Sequence, residues 1–96
     1  RKTVEALVRA CLMPCLAVDE DWVTWDRNAA VMIRLLDTTG YIDVDIAQML
    51  ELAVGLAVEA NETGRAMPVV ASCQEQWRKL GQHARADSLS QLVALD

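Results

Sequence analysis

Placed on a helix at about 100° per residue, residues 46–60 leave a single narrow polar stripe, and nothing else in the chain restricts its fold so tightly. The stripe is Gln48, Glu51, Gly55, Glu59 and, one turn on, Glu62; all five fall within about 80° of one another. The rest of the cylinder is aliphatic. A surface helix ordinarily has an apolar face somewhat over about 100° wide, so this one needs neighbours on three sides. It belongs at the centre of a small bundle or at the seam of an oligomer.

A chain of 96 residues makes one domain, residues 1–96, that buries about 60–65% of its unfolded surface. Leu, Ala and Val dominate the 53% apolar share, Phe is absent, and the aromatics are Trp22, Trp25, Trp77 and Tyr41. The core is therefore expected to be aliphatic. The net charge of −5 argues against a nucleic-acid or anionic-membrane partner, because phosphate contacts need a basic surface. The acids concentrate in the middle: residues 19–62 hold ten of them against Arg27 and Arg34, while the two ends together carry an excess of three positive charges. Such a dipolar chain could pair head to tail with itself or with a basic partner, or its charges could simply solvate helix faces.

No apolar run reaches the about 18 residues of a membrane span, and no signal peptide is visible. Cys11, Cys15 and Cys73 are odd in number and sit in apolar surroundings, which suits a reducing cytoplasm better than a disulfide scaffold.

Turn signals divide the chain into helical pieces. Residues 3–13 place Val4, Leu7, Val8, Cys11 and Leu12 on one apolar face, with Thr3 as N-cap and Pro14 stopping or kinking the helix. Residues 15–18 are too short to assign, and Asp19 to Asp21 form a cap region. A second helix spans Trp22 to Asp37, closed by Thr38-Thr39-Gly40. The third runs from about 44 to 61, capped by Asp43 or by Asp45, whose Gln48 completes a capping box; Gly64 lies beyond its end. Pro68 is placed as the first residue of a fourth helix ended by Gly81, and a short helix from Asp87 presents Leu89, Leu92, Val93 and Leu95. The fold class is thus all-α, a compact bundle of four to five short helices around the third.

No catalytic signature emerges. Glu59 and Glu62 stand one turn apart, as in the helical magnesium sites of nucleotide pyrophosphohydrolases, but the facing acidic pair is missing: Glu75 is followed by Arg78. Cys11, Cys15, Cys73 and His83 make a conceivable zinc set, yet Pro14 interrupts the first pair and core packing is the expected role of the thiols. His83 with any of the cysteines lacks a thiolate-stabilising surround and is read as a solvated loop residue. No metal, cofactor or enzymatic activity is expected.

Residues 68–95 have the outline of a helix-turn-helix, the basis of an alternative role in DNA-binding regulation, although the stretch 87–96 contains neither Lys nor Arg. Residues 15–36, from Cys-Leu-Ala-Val-Asp-Glu-Asp-Trp through Asn-Ala-Ala, resemble the opening of a PAS sensor domain. The resemblance implies two short strands before a helix and a small-ligand sensor. Residues 49–96 are similar to the helical C-terminal domain of β-hydroxyacid dehydrogenases, through a helix, Gly64, Pro68 and a second helix, a similarity that carries no catalytic residue.

By elimination, and from the excess apolar surface of the third helix, the expected role is protein–protein association: a homodimer, or an adaptor or chaperone-like module for another protein. The candidate interface residues are Leu52, Val54, Leu56, Val58, Trp22 and Trp25. Burying four such aliphatic side chains in a partner is worth about 1.5–3 kcal/mol each.

Overall fold

The apolar positions organise into five helices in the computed structural model, which describes residues 1–94: α1 Lys2–Val18, α2 Trp22–Thr39, α3 Val44–Glu59, α4 Thr63–Lys79 and α5 His83–Ala94. The described residues contain no strand. As its pattern requires, α3 lies in the middle, packed along α1 and α4 and touching α5. Its Ile46, Ala47, Leu50, Ala53, Val54 and Ala57 are fully buried, while Gln48 and Glu59 of the polar stripe face solvent. α1 also packs on α2, α4 on α5, and α2 meets α4 more narrowly. The body measures 33 × 29 × 17 Å and is two helix layers thick.

Three of the four connections are the same corner. Glu20, Asn61 and Gly81 each adopt the left-handed conformation, with φ of 55°, 61° and 81°. The next residue's N–H then reaches back five positions: Asp21 to the Leu16 carbonyl, Glu62 to Ala57 and Gln82 to Trp77. This is the Schellman closure, which satisfies the last carbonyls of one helix and reverses the chain in three residues. Only the third corner uses glycine. The fourth connection is looser, with Gly40 left-handed at the end of α2 and Asp43 as N-cap of α3, accepting from the Asp45 N–H at 2.7 Å. The Tyr41 hydroxyl donates to the other Asp43 oxygen, and these bonds hold that carboxyl below its usual range.

Several boundaries differ from the sequence expectation. α1 runs through Pro14 to Val18 instead of stopping, so residues 15–18 are helical and the strands implied by the PAS resemblance are absent. Pro14 denies the Ala10 carbonyl its usual donor. One residue earlier, the Arg9 carbonyl takes a hydrogen bond from the buried Asn28 of α2. α4 begins at Thr63, so Gly64 and Pro68 lie inside it; Gly64 is exposed, and water is available to the carbonyl that Pro68 frees. Asp45 sits in the first turn of α3 rather than capping it. α5 starts at His83, four residues before the expected Asp87. Leu89 is buried and Leu92 and Val93 less so; Leu95 lies outside the described residues.

Four side chains tie the helices together with polar bonds. Asn28 donates to the Arg9 carbonyl and accepts from the Arg9 guanidinium, both at 2.9 Å, and its amide also touches the Met13 sulfur. One turn before it, the indole N–H of Trp25 donates to the Arg65 carbonyl of α4 at 3.1 Å. Gln76 of α4 pins the α2–α3 connection, donating to the Tyr41 carbonyl and accepting from the Asp43 N–H. Gln74 donates to the Ala86 carbonyl of α5, and Arg85 of α5 lies 3.9 Å over the Trp77 ring. Gln76 is only 2% exposed, so replacing it by Leu orphans a donor and an acceptor at once. The variant Gln76→Leu is expected to lose about 2–3 kcal/mol in urea unfolding. A loss under about 0.5 kcal/mol would mean that the connection holds without it.

Candidate protein interface

α1 carries two seams at coiled-coil spacing. One is Thr3, Ala6, Ala10, Met13 and Ala17; the other is Val4, Val8, Cys11, Cys15 and Val18. Their centres are about 140° apart around the helix. The first faces inward: Ala6, Ala10 and Met13 are fully buried. The second faces out, with Val4, Val8 and Val18 at 60–68% exposure and both cysteines exposed. Leu12, 40% exposed, widens it.

Sequence reading grouped Val4, Leu7, Val8, Cys11 and Leu12 by their helical spacing and expected the thiols to pack in the core. Close packing reverses this, since alanines let α1 approach α2 and α3 where valines would hold it off. Asn28 then fixes the rotation by gripping Arg9 from the α2 side. The outcome is one continuous apolar strip along the outer side of α1. Contiguous apolar surface on a folded chain is the mark of a contact site.

Charge is distributed unusually at the ends of this strip. Arg1 and Lys2 stand at the N-terminus of α1, and Asp19, Glu20 and Asp21 follow its C-terminus. Both placements oppose the dipole of α1, although the acids favour the start of α2, where Asp21 is the N-cap. The Asp21 carboxyl is held below its ordinary range by its hydrogen bonds to Thr24. Among the described residues none of these five side chains forms an ion pair, whereas Glu5 and Arg9 between them pair at 2.9 Å.

The residues singled out on α3 and α2 divide. Val54 and Trp25 are fully buried inside the chain's own core and offer no outer contact. Trp22, Leu56 and Val58 are half-buried and packed against that core, Trp22 edge-on to Trp25 at 5.5 Å. Leu52 is exposed. With Leu56 and Leu92 it lines a shallow groove between α3 and α5, edged by Gln48, Glu51 and Glu59 and open at Gly55. Glu51 is engaged there by Arg85 at 3.3 Å.

The metal-ligating types are not brought together. Cys11 and Cys15 are on the outer side of α1, His83 opens α5 at the surface, and Cys73 is buried in α4, donating to the Ala47 carbonyl at 3.4 Å. Burial, reinforced by the charge of Glu51, pushes the Cys73 thiol up to about 12. Glu59 is exposed, and Glu62 pairs with Arg65 at 3.2 Å. The described residues contain no cluster of three His, Cys, Asp or Glu arranged around a common point. Nor is any described helix long and apolar enough to cross a membrane.

No family model, curated protein or solved structure matches this chain. The thiols report the contact surface directly: at micromolar protein in native buffer, Cys11 and Cys15 are expected to react with a thiol reagent and Cys73 only after unfolding. Rapid modification of Cys73, or protection of both others in dilute protein, would contradict the placement of α1.

Proposed function

We propose that this chain is a protein–protein association module whose contact surface is the outer side of α1. The single observation that supports the reading is the unbroken strip from Val4 to Val18, apolar and exposed over the length of a helix. A helix that shows such a face to solvent is suited to take a second helix along it, with side chains at three- and four-residue spacing as anchors. The buried core consists of other residues, and the strip's side chains are largely outside it. In this reading the apolar excess anticipated on α3 is used inside the bundle, and the association surface moves to its neighbour. The α3–α5 groove with Leu52 is a secondary contact at most.

The helix-turn-helix outline at 68–95 gains no support. Arg85, the one Lys or Arg in α5, is stacked on Trp77 and paired with Glu51, which leaves that helix no free cation for phosphate.

A photo-reactive amino acid introduced at Val8, in cells that produce the chain, is expected to give a discrete cross-linked product. The same group at Thr38, exposed on α2, is expected to give none. Absence of any product from Val8, or equal labelling from both positions, would sink the reading.

A further inference from the structure

From Cys11 the outer seam of α1 reads almost alike in both directions. Val8 and Cys15 stand three and four residues away, Val4 and Val18 both seven. We propose that the strip is occupied by α1 of a second copy of the chain, lying antiparallel across a two-fold axis beside Cys11. The proposal rests on the reading of α1 as the contact surface and adds which partner sits there and in which direction.

Two properties of the strip support self-pairing. The spacing of four, three, four and three residues from Val4 to Val18 is the alternation of core positions in a two-helix coiled coil, so the strip is its own complement. A two-fold axis also uses one patch twice, which doubles every favourable contact.

Charge sets the direction. In a parallel pair, Arg1 and Lys2 would face their own equivalents, and Asp19, Glu20 and Asp21 would face theirs. Reversal brings each basic end to an acidic end. Lys2 and Glu20 are both nine residues from Cys11, and Arg1 and Asp21 both ten, so the register that stacks Cys11 on Cys11 also brings the basic and acidic ends to the same level along the pair. The same arrangement places the N-terminal end of each helix dipole beside the C-terminal end of the other. All five side chains lack an ion pair among the described residues; Asp21 also caps α2 through Thr24, and the other four are exposed.

A strip one helix wide is smaller than the surface of about 800 Å² per partner in a standard stable interface. The dimer is accordingly weak, with a dissociation constant of about 10–100 μM.

Sedimentation equilibrium of the full chain from about 5 to 500 μM, under reducing conditions, reads the association. The expected mass climbs from 10.6 kDa toward twice that value. Val8→Asp is expected to stay monomeric throughout with an unchanged helical spectrum. Lys2→Glu and Glu20→Lys are each expected to weaken the dimer about three- to tenfold, and the double variant to recover to within about twofold. These two exposed positions keep the test valid even if Val8→Asp disturbs folding. Copper-phenanthroline oxidation in air is then expected to cross-link Cys15→Ser, through Cys11, and to leave Cys11→Ser uncross-linked. A wild-type chain monomeric at 500 μM overturns the second copy as partner; a Val8 photo-product containing a different protein would then leave the association module standing. A dimer that survives Val8→Asp puts the seam elsewhere and overturns both. Cross-linking of Cys11→Ser through Cys15, or no recovery in the charge-swapped double variant, overturns the antiparallel direction.

Discussion

The buried amide of Asn28 sets the rotation of α1, and the outward character of the molecule follows from it. α1 is apolar on nearly every side, so hydrophobicity alone does not choose which face turns inward. Asn28 chooses by bonding both the carbonyl and the guanidinium of Arg9. A buried amide without partners costs about 1–3 kcal/mol, and one rotation of α1 satisfies it. The alanines at 6, 10 and 17 make that rotation the tightly packed one. The valines and thiols of the second seam are then left on the surface.

Around this choice the remaining helices close a core of their own. α3 uses its wide apolar face against α1, α4 and α5, and Trp25 and Gln76 lock α2 and its following connection to α4. The three Schellman corners keep the helices short and side by side. The buried core consists of other residues, and the strip on α1 lies largely outside it. Its charges at 1–2 and 19–21 find no ion partner within the described chain, the same condition at a smaller scale.

Much of the architecture was legible in the sequence. The narrow stripe from Gln48 to Glu62 located α3 at the centre, and Asp43, Gly40 and Gly81 marked ends that the helices respect. The prolines misled, because Pro14 was read as a stop or kink and Pro68 as the first residue of a helix, whereas each lies inside one. A proline inside a helix costs one hydrogen bond, and α1 and α4 each continue past that loss. The corners at Glu20 and Asn61 were missed since neither uses glycine for the left-handed position. The contact strip was present as spacing all along, but spacing alone does not say which side of a helix turns inward. Which of two heptad seams faces a neighbour depends on Asn28, nineteen residues from Arg9 in the chain, and no local pattern carries that information.

The rotation of α1 is most directly tested by scanning single cysteines through positions 4–18 of a cysteine-free background, at low micromolar concentration, and measuring each thiol's reaction rate. Rate maxima at 4, 8, 11, 15 and 18, with minima at 6, 10, 13 and 17, are the predicted pattern. Maxima on the alanine seam, or rates without a helical period, would contradict it and remove the exposed strip on which the association reading stands.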